Sequence, residues 1–218
     1  MLKDGEKGAV LQRGKKTYAI VPHCSLGLVT PDQLRRMADI ADKFNAALKI
    51  TSAQRIAIVG LQEEQIDQAW AELGMDPGAA VGLCVRSVKA CPGITFCRLA
   101  TRDSLALAKR LDSEFHGRKL PWKFKMAVSG CVNQCAENCI KDFGFFGKRS
   151  GWVVTVGGNG GSRPLLAMKL AEKLDDEQAF SLATRVLDYF DAEARKTERM
   201  GRMLQRIGFE NFKKKVLA

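Results

Sequence analysis

At 218 residues the chain can bury a substantial core, as one domain or as two small halves. Its 46% hydrophobic content, broken throughout by charge, excludes a low-complexity chain, and no run approaches the roughly 18 apolar residues of a membrane helix. The net charge of +11 calls for an anionic partner, whether nucleic acid, a polycarboxylate cofactor, a small oxyanion or an acidic protein. The amino-terminal MLKDGEKGAVLQRGKK has neither the apolar core nor the cleavage signature of a signal peptide, so the expected compartment is the cytoplasm.

TYAIV (17–21) predicts a short strand. Thr30, Pro31 and Gln33 then open a helix with a capping box, and Leu34, Met37, Ala38, Ala41 and Phe44 keep the helical period as its buried stripe. LKITSAQRIAIVG (48–60) reads as extended chain. Glu63 to Leu73 predicts a second helix through Ile66, Ala69, Trp70 and Leu73, stopped by Gly74. This strand–helix–strand–helix run makes a compact α/β half.

A helix is expected after Cys97, with Leu99, Leu105, Ala108 and Leu111 on its apolar side. KFKMAVSG (123–130) alternates, so that Phe124, Met126 and Val128 face one way and Lys123, Lys125 and Ala127 the other. GWVVTVGGNGG is a strand running into a glycine turn. From Asp175 onward the chain is mostly helical and ends in the basic NFKKKVLA. There is no internal repeat.

Seven cysteines in a reducing compartment are poor disulfide candidates, which leaves metal ligation or plain burial. Cys24 and Cys84 are isolated and read as buried thiols. Cys91 and Cys97, then Cys131 and Cys135, supply four thiolates, enough for a tetrahedral zinc ion or a [4Fe–4S] cluster. The five residues between Cys91 and Cys97 exceed the usual zinc spacing, and Pro92-Gly93 lets the backbone pass close to sulfides. The pattern therefore favours the cluster over zinc or no metal.

These residues resemble the signature of the sirohaem-dependent sulfite and nitrite reductases. SGCVNQCAENCIKDFGF is similar to the family's Gly-Cys-Pro-Asn-x-Cys leading into an Asp-x-Gly-Phe strand, with Asn133, Asp142, Gly144 and Phe145 in step. VKACPGITFC resembles its Ala-Cys-Pro-Gly segment, and LPWKFK its lysine pair. GLVTPDQLRRMADIADKF with LKITSAQRIAI resembles its ferredoxin-like half-domain, and VGGNGGSRP and TERMGRMLQRIGFENF extend the likeness to the C-terminus. The size is similar to that of the small, single-repeat, assimilatory-type members.

The resemblance implies an α/β (α+β) fold, with a ferredoxin-like half-domain (1–78) followed by a sirohaem and [4Fe–4S]-binding α/β domain with C-terminal helices (79–218). It implies Cys91, Cys97, Cys131 and Cys135 as cluster ligands, Cys135 also ligating the sirohaem iron, and leaves Cys139 outside as a packed thiol. Asn133, Gly157, Gly158, Asn159 and Arg163 would line the sirohaem, whose carboxylates account for part of the demand for positive charge. Arg86, Lys123 and Lys125, with Arg55, would bind the substrate. Three positions depart from the family pattern: Val132 replaces its proline, PHCSLG replaces a more glycine-rich turn, and Thr51-Ser52-Ala53-Gln54 lacks an arginine that Arg55 follows two positions on.

The implied activity is the six-electron reduction of sulfite to sulfide. The rivals are nitrite reduction to ammonia and, further off, a cluster-containing electron carrier or regulator. There is no flavin or nicotinamide motif, so an external acidic electron-donor protein such as a ferredoxin is expected, with no nucleic-acid or membrane partner. Two-repeat relatives take substrate-binding cations from one repeat and working cofactors from the other. This single repeat carries both sets, so either a monomer uses its own or a homodimer shares them.

Overall fold

Thr30 ends a stretch of extended backbone and opens helix α1 (Pro31–Lys43). Its hydroxyl accepts the Gln33 N–H at 3.2 Å while the Gln33 side chain accepts the Thr30 N–H at 2.8 Å, the reciprocal cap expected from the sequence. The buried stripe of α1 is Met37, Ile40 and Ala41, of which Met37 and Ala41 were expected; Phe44 packs against the same core, and Leu34 is left 43% exposed. Helix α2 (Ile66–Leu73) follows a single 3-10 turn at Glu63–Gln65 and closes on Gly74, whose φ of 60° needs no Cβ.

The computed structural model describes all 218 residues, which divide into two compact units, Met1–Gly82 and Leu83–Ala218. In the first, strands β1 (Ala9–Leu11), β2 (Tyr18–Ile20), β3 (Ala47–Ile50) and β4 (Ile56–Leu61) form an antiparallel sheet in the order β1-β2-β4-β3. Tyr18, Ile20 and Ile58 pack on Met37 and Ile40 of α1 and on Ile66 and Leu73 of α2. The stretch 48–60 is therefore a hairpin and not one extended run. Thr51 N–H donates to the Arg55 carbonyl at 2.8 Å, and Gln54 takes a φ of 57°. Ser52-Ala53-Gln54 lacks the glycine or asparagine that usually marks such a turn, which hides it from a pattern reading.

The second unit is a five-stranded sheet in chain order: β5 (Lys89–Ala90), β6 (Met126–Ser129), β7 (Phe143–Lys148), β8 (Gly151–Val156) and β9 (Met168–Leu174). The first three strands are parallel and the last two antiparallel to their neighbours. A short helix α3 (Gly93–Phe96) and the longer α4 (Ser104–Phe115) make the crossover from β5 to β6. Helix α4 starts at an Asp103 cap, later than the sequence suggested, so Leu99 lies outside it and is 58% exposed. The intervening backbone is otherwise engaged: Thr101 and Arg102 both donate to the Gly130 carbonyl, at 2.8 and 3.1 Å, and so cannot wind into a helix. Helices α5 (Asp176–Glu193), α6 (Met200–Ile207) and α7 (Phe209–Leu217) complete the unit. No helix is long and apolar enough to cross a membrane.

The two faces of this sheet differ. Phe124, Met126, Val128, Phe143, Phe145, Trp152, Val154 and Val156 are buried, and the Phe190 ring of α5 stands 5.1 Å from that of Phe124. Burial of each such side chain contributes about 1.5–3 kcal/mol. The opposite face carries Lys89, Ala127, Ser129, Gly144 and Thr155 at paired positions, small or polar residues that leave room for a loop to lie on the sheet.

Candidate functional site

The segment between β6 and β7, SGCVNQCAENCIKD, occupies that room. Asn138 pins it from the inside. Its side-chain amide donates to the carbonyls of Ala127 at 2.8 Å and Phe145 at 2.6 Å, and its Oδ1 accepts the Ser129 hydroxyl at 2.5 Å. Ser129 Oγ in turn accepts the Ala136 N–H at 3.1 Å. Asn138 was missed in the sequence because nothing distinguishes a buried asparagine from an exposed one in a polar loop. Asn138→Ala leaves two carbonyls and a hydroxyl without their partner, and is expected to lower stability by about 3 kcal/mol, read by thermal or denaturant unfolding of the purified protein.

The two cysteine pairs meet through glycine. A Cβ on Gly130 would lie 3.1 Å from Gly93 Cα, 2.8 Å from the Arg102 carbonyl oxygen and 2.9 Å from Ala100 Cβ, so the segments touch backbone to backbone. Cys91 is buried between them. Its Sγ accepts the Gly130 N–H at 3.0 Å and lies 3.4 Å from Ser104 Oγ, at the amino end of α4, while the Ser104 hydroxyl donates to the Cys91 carbonyl at 2.9 Å. Cys97 and Cys131 are half-buried and Cys135 is exposed.

No three His, Cys, Asp or Glu side chains gather as they would around one metal ion. Cys24 and Cys84 are buried, as expected, and burial pushes the Cys24 thiol up. Cys139 departs from expectation. Its thiol is exposed and not packed, because it is the Cys139 carbonyl that turns inward, to accept the Ala167 N–H at 2.8 Å.

Cations crowd the same face. Val85 bridges Phe124 in parallel, and Arg86 N–H donates to the Phe124 carbonyl at 2.9 Å. Since Val85 and Phe124 belong to the core face, alternation sets Arg86, Lys123 and Lys125 on the other, with Ala127 and the cysteine loop. Lys123 Nζ stands 5.6 Å from the Trp122 ring centre. Burial, then the charges of Arg199, Lys123 and Lys141 working against that of Asp142, hold the Lys125 ammonium below the usual lysine range. Burial, with Arg199 beside it, likewise lowers Arg86. Lys89 and Lys141, 13% and 12% exposed, both grip Glu137 inside the cysteine loop, at 3.0 and 2.9 Å. Lys89, Lys141 and Arg199 are additions to the sequence-derived set, and a cation two residues before Cys91 was the one visible signal.

Arg55 lies in the first unit. It is buried, and its guanidinium donates to the Gly78 carbonyl at 2.5 Å. In the glycine turn, Gly157 and Gly158 are also buried. A Cβ on Gly158 would meet the backbone oxygens of Cys139 and Lys141 at 2.7 and 2.6 Å, so this glycine lets the turn lie against the cysteine loop. Asn159 is half-buried, and Arg163 is exposed at the tip of a loop closed by mutual 2.9 Å bonds between Asn159 and Leu165. Asn133 is exposed beside Cys131, and both line a surface pocket of about 330 Å³ with Leu99 and Lys148.

The chain matches two family models, the nitrite/sulfite reductase ferredoxin-like half domain over residues 10–75 and the nitrite and sulphite reductase 4Fe-4S domain over residues 81–218. It is 39% identical to an assimilatory-type sulfite reductase of Nitratidesulfovibrio vulgaris, across 99% of this chain and 100% of that one. It is also 39% identical, across 89% of its length, to the nitrite reductase [NAD(P)H] of Bacillus subtilis, of which it spans 24%. Among solved structures, the Mycobacterium tuberculosis NirA protein superposes with a TM-score of 0.82 at 21% identity, over 92% of this chain and 39% of that one. Dissimilatory sulfite reductase I does so with a TM-score of 0.78 at 16% identity, over 93% and 69%. At those identities the likeness is one of fold. With both units matched in order and a full-length relative beside them, the chain belongs to the nitrite and sulphite reductase family.

Proposed function

We propose that the protein is a sulfite reductase of the assimilatory type, carrying a [4Fe–4S] cluster and sirohaem. The observation that carries this is the shared sheet face, on which Arg86, Lys123 and Lys125 lie with Cys91 and the cysteine loop. Cys91, Cys97, Cys131 and Cys135 would hold the cluster, with Cys135 shared with the sirohaem iron. Asn133, Asn159, Arg163 and the turn at Gly157-Gly158 would border the sirohaem. These cofactors, when bound, supply single electrons and the iron that takes the sulfur atom.

The chain's own residues handle charge and protons. Sulfite with six electrons and seven protons gives hydrosulfide and three waters, so each departing oxygen must be protonated. Arg86 and Lys123 attract and orient the oxyanion, and Lys125, with its acidity raised by its surroundings, donates protons to departing oxygen. Sulfite carries up to two negative charges and nitrite one, so a face this rich in cations favours sulfite.

Electrons come from a separate acidic protein of the ferredoxin kind, which the charge of +11 would attract. The placement of cations and cysteines on one sheet of one chain supports a monomer using its own set, in the reducing compartment that keeps thiols free. The test is a spectrum and a substrate comparison. The purified protein should show a chlorin-type red band with a Soret band, produce sulfide from sulfite, and have the higher kcat/KM for sulfite over nitrite. A bare cluster spectrum, or a preference for nitrite, overturns the reading.

A further inference from the structure

We propose that Asp142 and Arg199 are a positioning pair for Lys125: one carboxylate fixes the lysine's backbone, and its guanidinium partner holds that carboxylate in place and offsets its charge beside the lysine. This rests on the reading of Lys125 as a substrate-facing residue. It adds two residues outside the substrate set, one of them brought in by the C-terminal helices.

The geometry is a clamp. Asp142 is 0% exposed, immediately before β7. Its Oδ1 accepts Arg199 Nε at 2.9 Å, and its Oδ2 accepts both Arg199 Nη2 at 2.7 Å and the Lys125 N–H at 2.9 Å. The next residue, Phe143, donates its N–H to the Lys125 carbonyl at 3.2 Å, so Lys125 is held at both its N–H and its carbonyl. The Asp142 carbonyl accepts the Gly157 N–H at 2.8 Å, which ties the glycine turn to the same point. Arg199, 15% exposed, caps the start of α6 and thereby links that helix to the site. A buried carboxylate with no partner would be costly, and here every contact it makes leads to Lys125, to Arg199 or to the turn.

The charges decide what the clamp does. The charges acting on the Lys125 ammonium are those of Arg199 at the start of α6, Asp142 just before β7, Lys123 on its own segment and Lys141 on the cysteine loop. Asp142 is the one anion among them, and Arg199 engages both its oxygens. The ammonium, on a side chain that solvent reaches, thus sees net positive charge, which makes it a stronger acid. In the step itself an N–H bond of Lys125 breaks and an O–H bond forms on departing oxygen. The lysine is left as a neutral amine, which regains its proton from water, and it moves no electrons.

The test uses the holoenzyme with both cofactors verified by spectrum. The pH dependence of acetylation at Lys125, read by mass spectrometry, gives that residue's own titration. The alkaline limb of kcat/KM for sulfite reports the catalytic group. Arg199→Gln should raise both midpoints by roughly one pH unit, Asp142→Asn should lower both, and Arg199→Lys should restore values near wild type. Unmoved midpoints in Arg199→Gln would leave the pair merely structural and overturn the proposal. If Asp142→Asn does not fold, the two Arg199 variants decide. A labelling midpoint that moves while the alkaline limb stays put also overturns it, by removing Lys125 from the proton step. Labelling needs no sulfite, so it reports on the pair even where Lys125→Ala leaves sulfite turnover intact, a result that would sink the underlying reading of Lys125.

Discussion

Cys135→Ser is expected to purify as a folded protein nearly devoid of iron and acid-labile sulfide. Its thiol is exposed and supports no packing, so serine costs the fold little, while on the proposed ligation the cluster loses one of its four thiolates. Cys97→Ser and Cys131→Ser should lose the cluster in the same way. Cys91→Ser should add a stability cost, because the buried sulfur also accepts the Gly130 N–H. Cys139→Ser should keep full iron and sulfide content. Iron and sulfide assays with the optical spectrum check all five, and an iron-free Cys139→Ser protein would show that the wrong four had been chosen.

The second large effect concerns the lysines. Lys123→Ala and Lys125→Ala should each lower kcat/KM for sulfite by about 10²–10³-fold, the scale of removing one preorganised donor from a developing anion. Neither side chain lies in the core, and Phe124 and Met126 keep the strand packed, so the cofactor spectrum should be nearly unchanged. Lys125→Arg separates the two roles of that residue. Guanidinium keeps the charge but holds its proton too tightly to act as an acid, so KM should stay close to wild type while kcat falls. Steady-state kinetics with a reduced dye donor measure these values, and unchanged turnover in both alanine variants would remove the pair from the site.

What the sequence made legible follows from locality. The Thr30 cap, the Gly74 stop and the alternation around Phe124 depend on neighbours a few residues apart, and the structure has each of them. The missed features are contacts across long separations. The Thr51–Arg55 turn is fixed by the pairing of β3 with β4, and the late start of α4 by the distant Gly130 carbonyl. Within the site, the cysteine motifs and the lysine pair were visible as motifs. Arg199 was not, because it reaches Asp142 across 57 residues. Gly158 was read as facing a ligand, but its lack of a side chain is already required by the backbone of Lys141.

The backbone contact between Gly93 and Gly130 also bears on maturation. In a small zinc domain the metal itself brings the ligand segments together, and the chain without it is unfolded. Here the sheet, Asn138 and the two glycines register the segments through contacts of the chain's own. Cys91 is buried in this seat and Cys135 is exposed at it. Stripping the iron with a chelator should therefore leave a chain that still melts cooperatively, where a metal-folded domain would lose its transition, and a calorimetric scan before and after chelation tells the two apart.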